Sequence, residues 1–196
     1  KMRLDGVEQD GITFKNQLRH LRRGEFKRLR NHMGYKIIAL LKGRIHFPTG
    51  ATEILFGDDV ENDATIYALY GDICAHRLSG AKLSSLLSHL GVHREEIAEI
   101  ISLQMTMNPI DPIEKIYIHL ERGSDPRCYK KYGIRMIPTQ NAFQAALSLF
   151  EIGHLSMGGL LKVAEDFREQ SSQKIWSYLM DLFERGALKV KTIQEI

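Results

Sequence analysis

Apolar residues change their spacing several times along this chain, and each change predicts an element. Phe26, Leu29, Met33, Ile37, Leu40 and Leu41 recur at three- and four-residue intervals. That period marks one face of a helix over about Glu25 to Ile45. A shorter basic helix, about Phe14 to Arg23, precedes it, and Gly24 separates the two. Residues 1–14, punctuated by Asp5, Gly6, Asp10 and Gly11, read as irregular. After a loop from His46 to Gly50, Glu53 to Phe56 read as a short buried strand. Ile66, Leu69, Tyr70 and Ile73 then fall on one side of a helix from Asp63 to His76.

The second half repeats the alternation. Residues 80–107 read as two helices split at Gly91. Lys115 to Leu120, "KIYIHL", is rich in β-branched and aromatic residues and predicts a strand. Gly123 to Gly133 is a polar loop, and Arg135 to Pro138 a third, very short strand. Thr139 is the expected cap of a helix from about Gln140 to Ile152. Gly153 to Gly159 breaks the pattern like a hinge. An amphipathic helix or helix pair follows over about Leu160 to Glu184, frayed toward Ile196. There Trp176, Tyr178, Leu179, Leu182 and Phe183 form a packing face. Strands alternating with helices predict an α/β fold with parallel strands joined by crossovers. The expected division is a domain over 1–155, with a helical insertion at about 80–107, and a helical extension over 156–196.

Composition adds an uneven charge. Hydrophobic residues make up 43% of the chain, ample for a core, and the net charge is only +3. Yet Lys15, Arg19, Arg22, Arg23, Lys27, Arg28, Arg30, Lys36, Lys42 and Arg44 face Glu25 alone. Such a segment attracts phosphates, on an anionic membrane surface or on nucleic acid. Sparse aromatic interleaving argues against a nucleic-acid stacking platform. A solvated basic face is the plainer reading. Cys74 and Cys128 belong to no Cys-x-x-Cys pattern, which fits a reducing, cytoplasmic setting. No apolar run approaches the roughly 18–20 residues of a membrane span. His89 and His93 stand four apart, but Gly91 lies between them and no third ligand is evident. The chain opens on Lys1 rather than Met, so natural sequence is expected upstream.

Candidate chemistry concentrates in "ATEILFGDDVENDATIYALYGDI", where Asp58, Asp59, Glu61 and Asp63 occupy six positions after an apolar run. A solvated turn with Asp63 as a helix cap is the plain reading of such a cluster. Carboxylates this close repel unless solvated or neutralised by a cation. Mg²⁺ takes one or two carboxylates together with waters and a substrate phosphate. In parallel sheets, ligands bind beyond the carboxyl ends of the strands, where this cluster is expected.

Upstream stands "GYKIIALLKGRIHFP", with Lys36 opening an apolar helix. A Lys-led helix, a Pro-containing loop, a strand and Gly-Asp-x-x-x-x-Asp resemble the second half of haloacid dehalogenase (HAD) phosphohydrolases. Within that superfamily the stretch from about Gly34 to Tyr67 looks most like actin-patch-associated phosphatidate phosphatases and their bacterial relatives. "KIYIHL" and "RMIPTQNAFQAALSLF" are similar to that group's next strand and closing helix. The resemblance implies the C-terminal part of a HAD-like, Rossmannoid sheet and a Mg²⁺-dependent phosphatase acting on phosphate esters, phospholipid-like ones included. It implies that Lys36 holds the phosphoryl group, and that Asp58 binds Mg²⁺. Asp63, or the adjacent Asp59, would be the second metal-binding acid. Arg122, Ser124, Asp125 and Arg127 follow the "KIYIHL" strand and are candidates for substrate selection.

The chain departs from the family at two points, one being that the Ser/Thr motif expected ahead of Lys36 is not evident, since Thr13 follows no convincing strand. No apolar strand followed by Asp-x-Asp, the family's nucleophile and general acid, occurs in it. The expectation is a truncated enzyme, inert by itself. A response-regulator-like domain fits less well, because Lys36 lies upstream of the acidic pair and "KIYIHLERG" does not end in Asp. The alternative is a non-enzymatic basic module binding nucleic acid or an anionic membrane.

Overall fold

The structure, a computed structural model, describes residues 32–170, 175–189 and 191–192. Expectations for residues 1–14, for the helix over Phe14 to Arg23, for the start of the next helix, for most of the basic segment and for the end near Ile196 lie outside the described residues. The elements in chain order are α1 (Met33–Ile45), β1 (Glu53–Asp58), α2 (Asp63–Cys74), α3 (Gly80–His89) and α4 (Arg94–Met105). β2 (Ile113–His119), a 3-10 helix (Pro126–Tyr132), β3 (Met136–Thr139), α5 (Ala142–Glu151), α6 (Met157–Gln170) and α7 (Ile175–Glu184) follow. The fold is α/β, as expected. None of the helices described is long and apolar enough to cross a membrane.

The chain divides into two compact units. The first combines residues 32–49 with 72–111 and is helical. In it α4 packs against both α1 and α3. Ile37, Leu41, Leu83, Leu87, Ile97 and Ile100 form its buried interior, each contributing about 1.5–3 kcal/mol by leaving water. Gly34 permits the α1–α4 approach: a Cβ there would lie 2.5 Å from a Glu96 carboxylate oxygen. That carboxylate accepts from the His93 N–H at 3.2 Å and so closes the start of α4. His93 thus belongs to a helix entry, and His89 is exposed at the end of α3. Buried Gln104 donates to the carbonyls of Ile73 and Leu78 at 2.7 and 2.8 Å.

The second unit combines residues 50–71 with those from 112 onward. Its sheet has three parallel strands in the order β1-β2-β3. Tyr117 and Ile137 from the sheet, Phe143 and Leu147 from α5, Leu160 from α6 and Leu182 from α7 share one core. The C-terminal helices therefore belong to the sheet's own hydrophobic interior. Of the aromatic face expected there, Leu179 and Leu182 are buried, but Trp176 is 69% exposed.

Three local expectations change. β1 continues two residues beyond Phe56, because Gly57 and Asp58 pair with Ile118 and His119. Thr139 does not cap α5. Its carbonyl accepts from the Leu120 N–H at 2.8 Å, which holds it in β3. Asn141 supplies the cap, accepting from the Gln144 N–H at 3.0 Å. The polar loop over 123–133 contains the 3-10 helix, begun by Asp125, whose carboxylate accepts from the Arg127 N–H, and by Pro126.

Candidate functional site

The last register row of the sheet aligns Asp58, His119 and Thr139 across its three strands. Residues in such a row leave the sheet on the same face. The Asp59 N–H adds one more rung, donating to the His119 carbonyl at 3.0 Å. The acidic cluster therefore starts inside the ladder, at the carboxyl end of β1.

Each carboxylate has its own setting. Asp58 Oδ1 accepts from the Val60 and Glu61 N–H groups at 2.9 and 3.2 Å. This local turn closes the loop on Asp58 itself. Asp58 Oδ2 takes no hydrogen bond among the described residues. Asp63 opens α2, is only 5% exposed, and accepts from the Asp58 N–H through Oδ2 at 3.3 Å. Gly57 makes this fit. A Cβ there would lie 2.7 Å from both Asp63 Cβ and Oδ2, and 2.8 Å from the Tyr67 ring. The Tyr67 hydroxyl donates to the Phe56 carbonyl at 2.8 Å, which ties α2 to the same strand end. Glu61 is exposed on the loop.

Asp59 joins two loops. Its carboxylate accepts from the Arg122 N–H at 2.8 Å and the Ser124 N–H at 3.1 Å. Desolvation opposes its ionisation. The donations from Arg122 and from the Ser124 hydroxyl and N–H outweigh it, and hold the carboxyl below the usual carboxylate range. Both oxygens of Asp59 are thus engaged by the loop after β2. Nearby, burial raises the Tyr129 phenol, and the Asp59 charge adds to that rise.

The structure brings Asp58, Asp59, Asp63, Arg122 and Ser124 together in the sheet unit. The Arg122 side chain is exposed and Ser124 is half-buried. Arg127 turns to Asp125, with its Nε 2.9 Å and a terminal nitrogen 2.7 Å from the same carboxylate oxygen. This pairing lowers the Asp125 carboxyl. Lys36 belongs to the helical unit, half-buried in the first turns of α1.

Sequence reasoning missed His119, Phe56 and Asn141. His119 is exposed beside Asp58 in the terminal row. The alternation of "KIYIHL" was the signal that could have found it: His119 shares a face with Tyr117, two residues earlier. Phe56 stacks on Tyr117 with 5.2 Å between ring centroids and stays 57% exposed.

For a divalent cation, the donor set is narrow. No group of three or more His, Cys, Asp or Glu side chains that could hold a metal occurs among the described residues. Asp58 Oδ2 fits a hard ion that keeps most of its waters and takes one protein carboxylate directly. Asp63 stands next to it. Asp59 fits the role poorly, because backbone donors already occupy both oxygens. Compared with protein-family models, curated proteins and solved structures, the chain matches none.

Proposed function

We propose that this chain carries the metal-binding half of a HAD-type, Mg²⁺-dependent phosphohydrolase for phosphomonoesters, phospholipid-like ones included. The observation that supports this reading most is Asp58. It ends a parallel strand, spends one carboxylate oxygen on two turn amides and leaves the other open. When bound, Mg²⁺ would supply charge for the phosphoryl oxygens. Asp63 steadies Asp58 through the backbone. Asp59 positions the loop from Arg122 to Ser124 next to the acidic turn, where the loop can border a phosphate ester. Lys36 is assigned the phosphoryl-holding role by the family resemblance. The Asp-x-Asp nucleophile is missing from these 196 residues, so the chain by itself is inert in this reading.

Calorimetric Mg²⁺ titration tests the assignment. Asp58→Asn should weaken binding about tenfold or more, while Glu61→Gln leaves it within about twofold, since only Asp58 is fixed by the sheet. Equal losses from the two substitutions would make the loop an ordinary acidic turn. Turnover of an aryl phosphate by this chain, lost on Asp58→Ala, would show that its chemistry has been misplaced.

A further inference from the structure

β1 is an outer strand of the sheet, and among the described residues no strand pairs with the edge it turns away from β2. The Glu53 and Asp59 N–H groups donate toward β2, to the Pro112 and His119 carbonyls, at 2.8 and 3.0 Å. In a parallel pair alternate residues turn their backbone groups to the same neighbour. Ile54, Phe56 and Asp58 therefore turn theirs to the outer edge. An edge of this kind is a template for a strand of another chain.

The carboxyl half of that edge is occupied by side chains instead of a strand. The Phe56 carbonyl accepts from the Tyr67 hydroxyl at 2.8 Å, and the Asp58 N–H donates to Asp63 Oδ2 at 3.3 Å. The Tyr67 ring stands 2.8 Å from where a Gly57 Cβ would lie, so it rests on the glycine while its hydroxyl reaches the edge. The Tyr70 hydroxyl lies 2.9 Å from both Glu53 carboxylate oxygens. Asp63, Tyr67 and Tyr70 are i, i+4 and i+7 on α2, so one helix face follows β1 from its last residue to its first. At the amino half no such partner stands on the Ile54 backbone or on the Phe56 N–H among the described residues.

The strand most available to this edge is β1 of a second copy, which is always present at the same concentration. Its outward groups are complementary to themselves. Antiparallel pairing that sets Ile54 opposite Phe56 of the other copy would exchange N–H and C=O both ways, and half of those bonds would end on a Phe56 carbonyl. Phe56 is also more than half exposed, so the pairing would take apolar area from water. Against this stands the phenol already bonded to the Phe56 carbonyl. We propose that Tyr67 is an edge guard: it stands in for a neighbouring strand at Phe56 and Gly57, and so keeps β1 from pairing with β1 of a second copy. The guard involves neither metal nor phosphate and is independent of the phosphatase reading.

Tyr67→Phe keeps the ring and removes the guarding hydroxyl. Tyr70→Phe removes a hydroxyl from the same helix face that bonds a side chain instead of the edge, and so controls for a general loosening of α2. Circular-dichroism melts establish that both variants fold. Sedimentation velocity over a concentration series reads self-association, and amide exchange at Ile54 and Phe56 locates it. Tyr67→Phe should associate at least tenfold more tightly than wild type, and its Ile54 and Phe56 amides should exchange more slowly as concentration rises. Tyr70→Phe should behave as wild type in both measurements. Association of Tyr67→Phe no tighter than that of wild type or of Tyr70→Phe would overturn the assignment. So would tighter association that leaves exchange at Ile54 and Phe56 unchanged.

Discussion

Gly34 and Gly57 serve the same purpose in two different units. Each clears space for a carboxylate that receives a backbone N–H: Glu96 from His93 in the helical unit, Asp63 from Asp58 in the sheet unit. The difference lies in what surrounds the carboxylate. Glu96 meets Gly34 with the end of a flexible side chain, and its bond completes a helix entry. Asp63 meets Gly57 with its Cβ as well, and the backbone it holds belongs to Asp58, whose Oδ2 is still open. One device closes a scaffold. The other steadies a group that has bonding capacity left over, which is the mark expected of a site on a rigid strand end.

Alanine at the two glycines sharpens this contrast and should give the largest effect. Gly57→Ala drives a methyl group into Asp63 Cβ, which cannot swing away, and should destabilise the protein by about 3 kcal/mol, the upper range for overpacking. Gly34→Ala displaces the Glu96 tip and presses on Val92, but regains about 1 kcal/mol of helix propensity inside α1, so its net cost should stay below about 1 kcal/mol. Urea unfolding of both variants measures the two values. A Gly34→Ala loss as large as that of Gly57→Ala would remove the distinction.

Two buried glutamines extend the comparison. The Gln104 side chain bonds the carbonyls of Ile73 and Leu78. Gln144 accepts from the Gln140 N–H at 2.7 Å and donates to the Tyr178 carbonyl and to Asp181, which also pairs with Arg185 at 2.6 Å. Arg185 in turn donates to the Pro138 carbonyl at 2.9 Å, next to the end of β3. The helical unit thus ends its polar chain at a helix terminus, whereas the sheet unit runs one from α7 to the strand ends. Leucine at either position removes these side-chain hydrogen bonds from a buried site and should cost about 2 kcal/mol. Only Gln144→Leu should also loosen α7, read as faster amide exchange over Ile175–Glu184. Equal exchange in the two variants would reduce both glutamines to generic staples.

These contrasts show what was legible in the sequence. Local signals carried the elements: the apolar run of β1, the period of α2, the split at Gly91 between α3 and α4, and the β-branched run of β2. The last two residues of β1 and the place of Thr139 depend on partners in other strands, and no local signal contains those. Asp58 and Asp63 were legible as a pair because their spacing is local and Gly57 precedes them. The setting of Asp59 was hidden for the opposite reason. It is bonded by backbone groups 63 and 65 residues downstream, and any residue type but proline could supply them.

Asp59 gives the smallest expected effect and the sharpest division between holding a loop and holding a metal. Its carboxyl titrates below its ordinary value of 3.8 in the folded chain, because Arg122 and Ser124 donate to the charged form. A depressed carboxyl contributes stability that is present above its unfolded value and disappears as pH falls through its folded one. The site is open to solvent, so that contribution should stay below about 1 kcal/mol. Asp59→Asn should therefore lower the melting temperature slightly at pH 7, and the difference from wild type should close below about pH 4. Its Mg²⁺ affinity should stay within about threefold of wild type, set against the loss of tenfold or more for Asp58→Asn. A loss from Asp59→Asn as large as that from Asp58→Asn would move the metal to Asp59. A melting difference that persists unchanged at pH 2.5 would show that charge has no part in holding the two loops together.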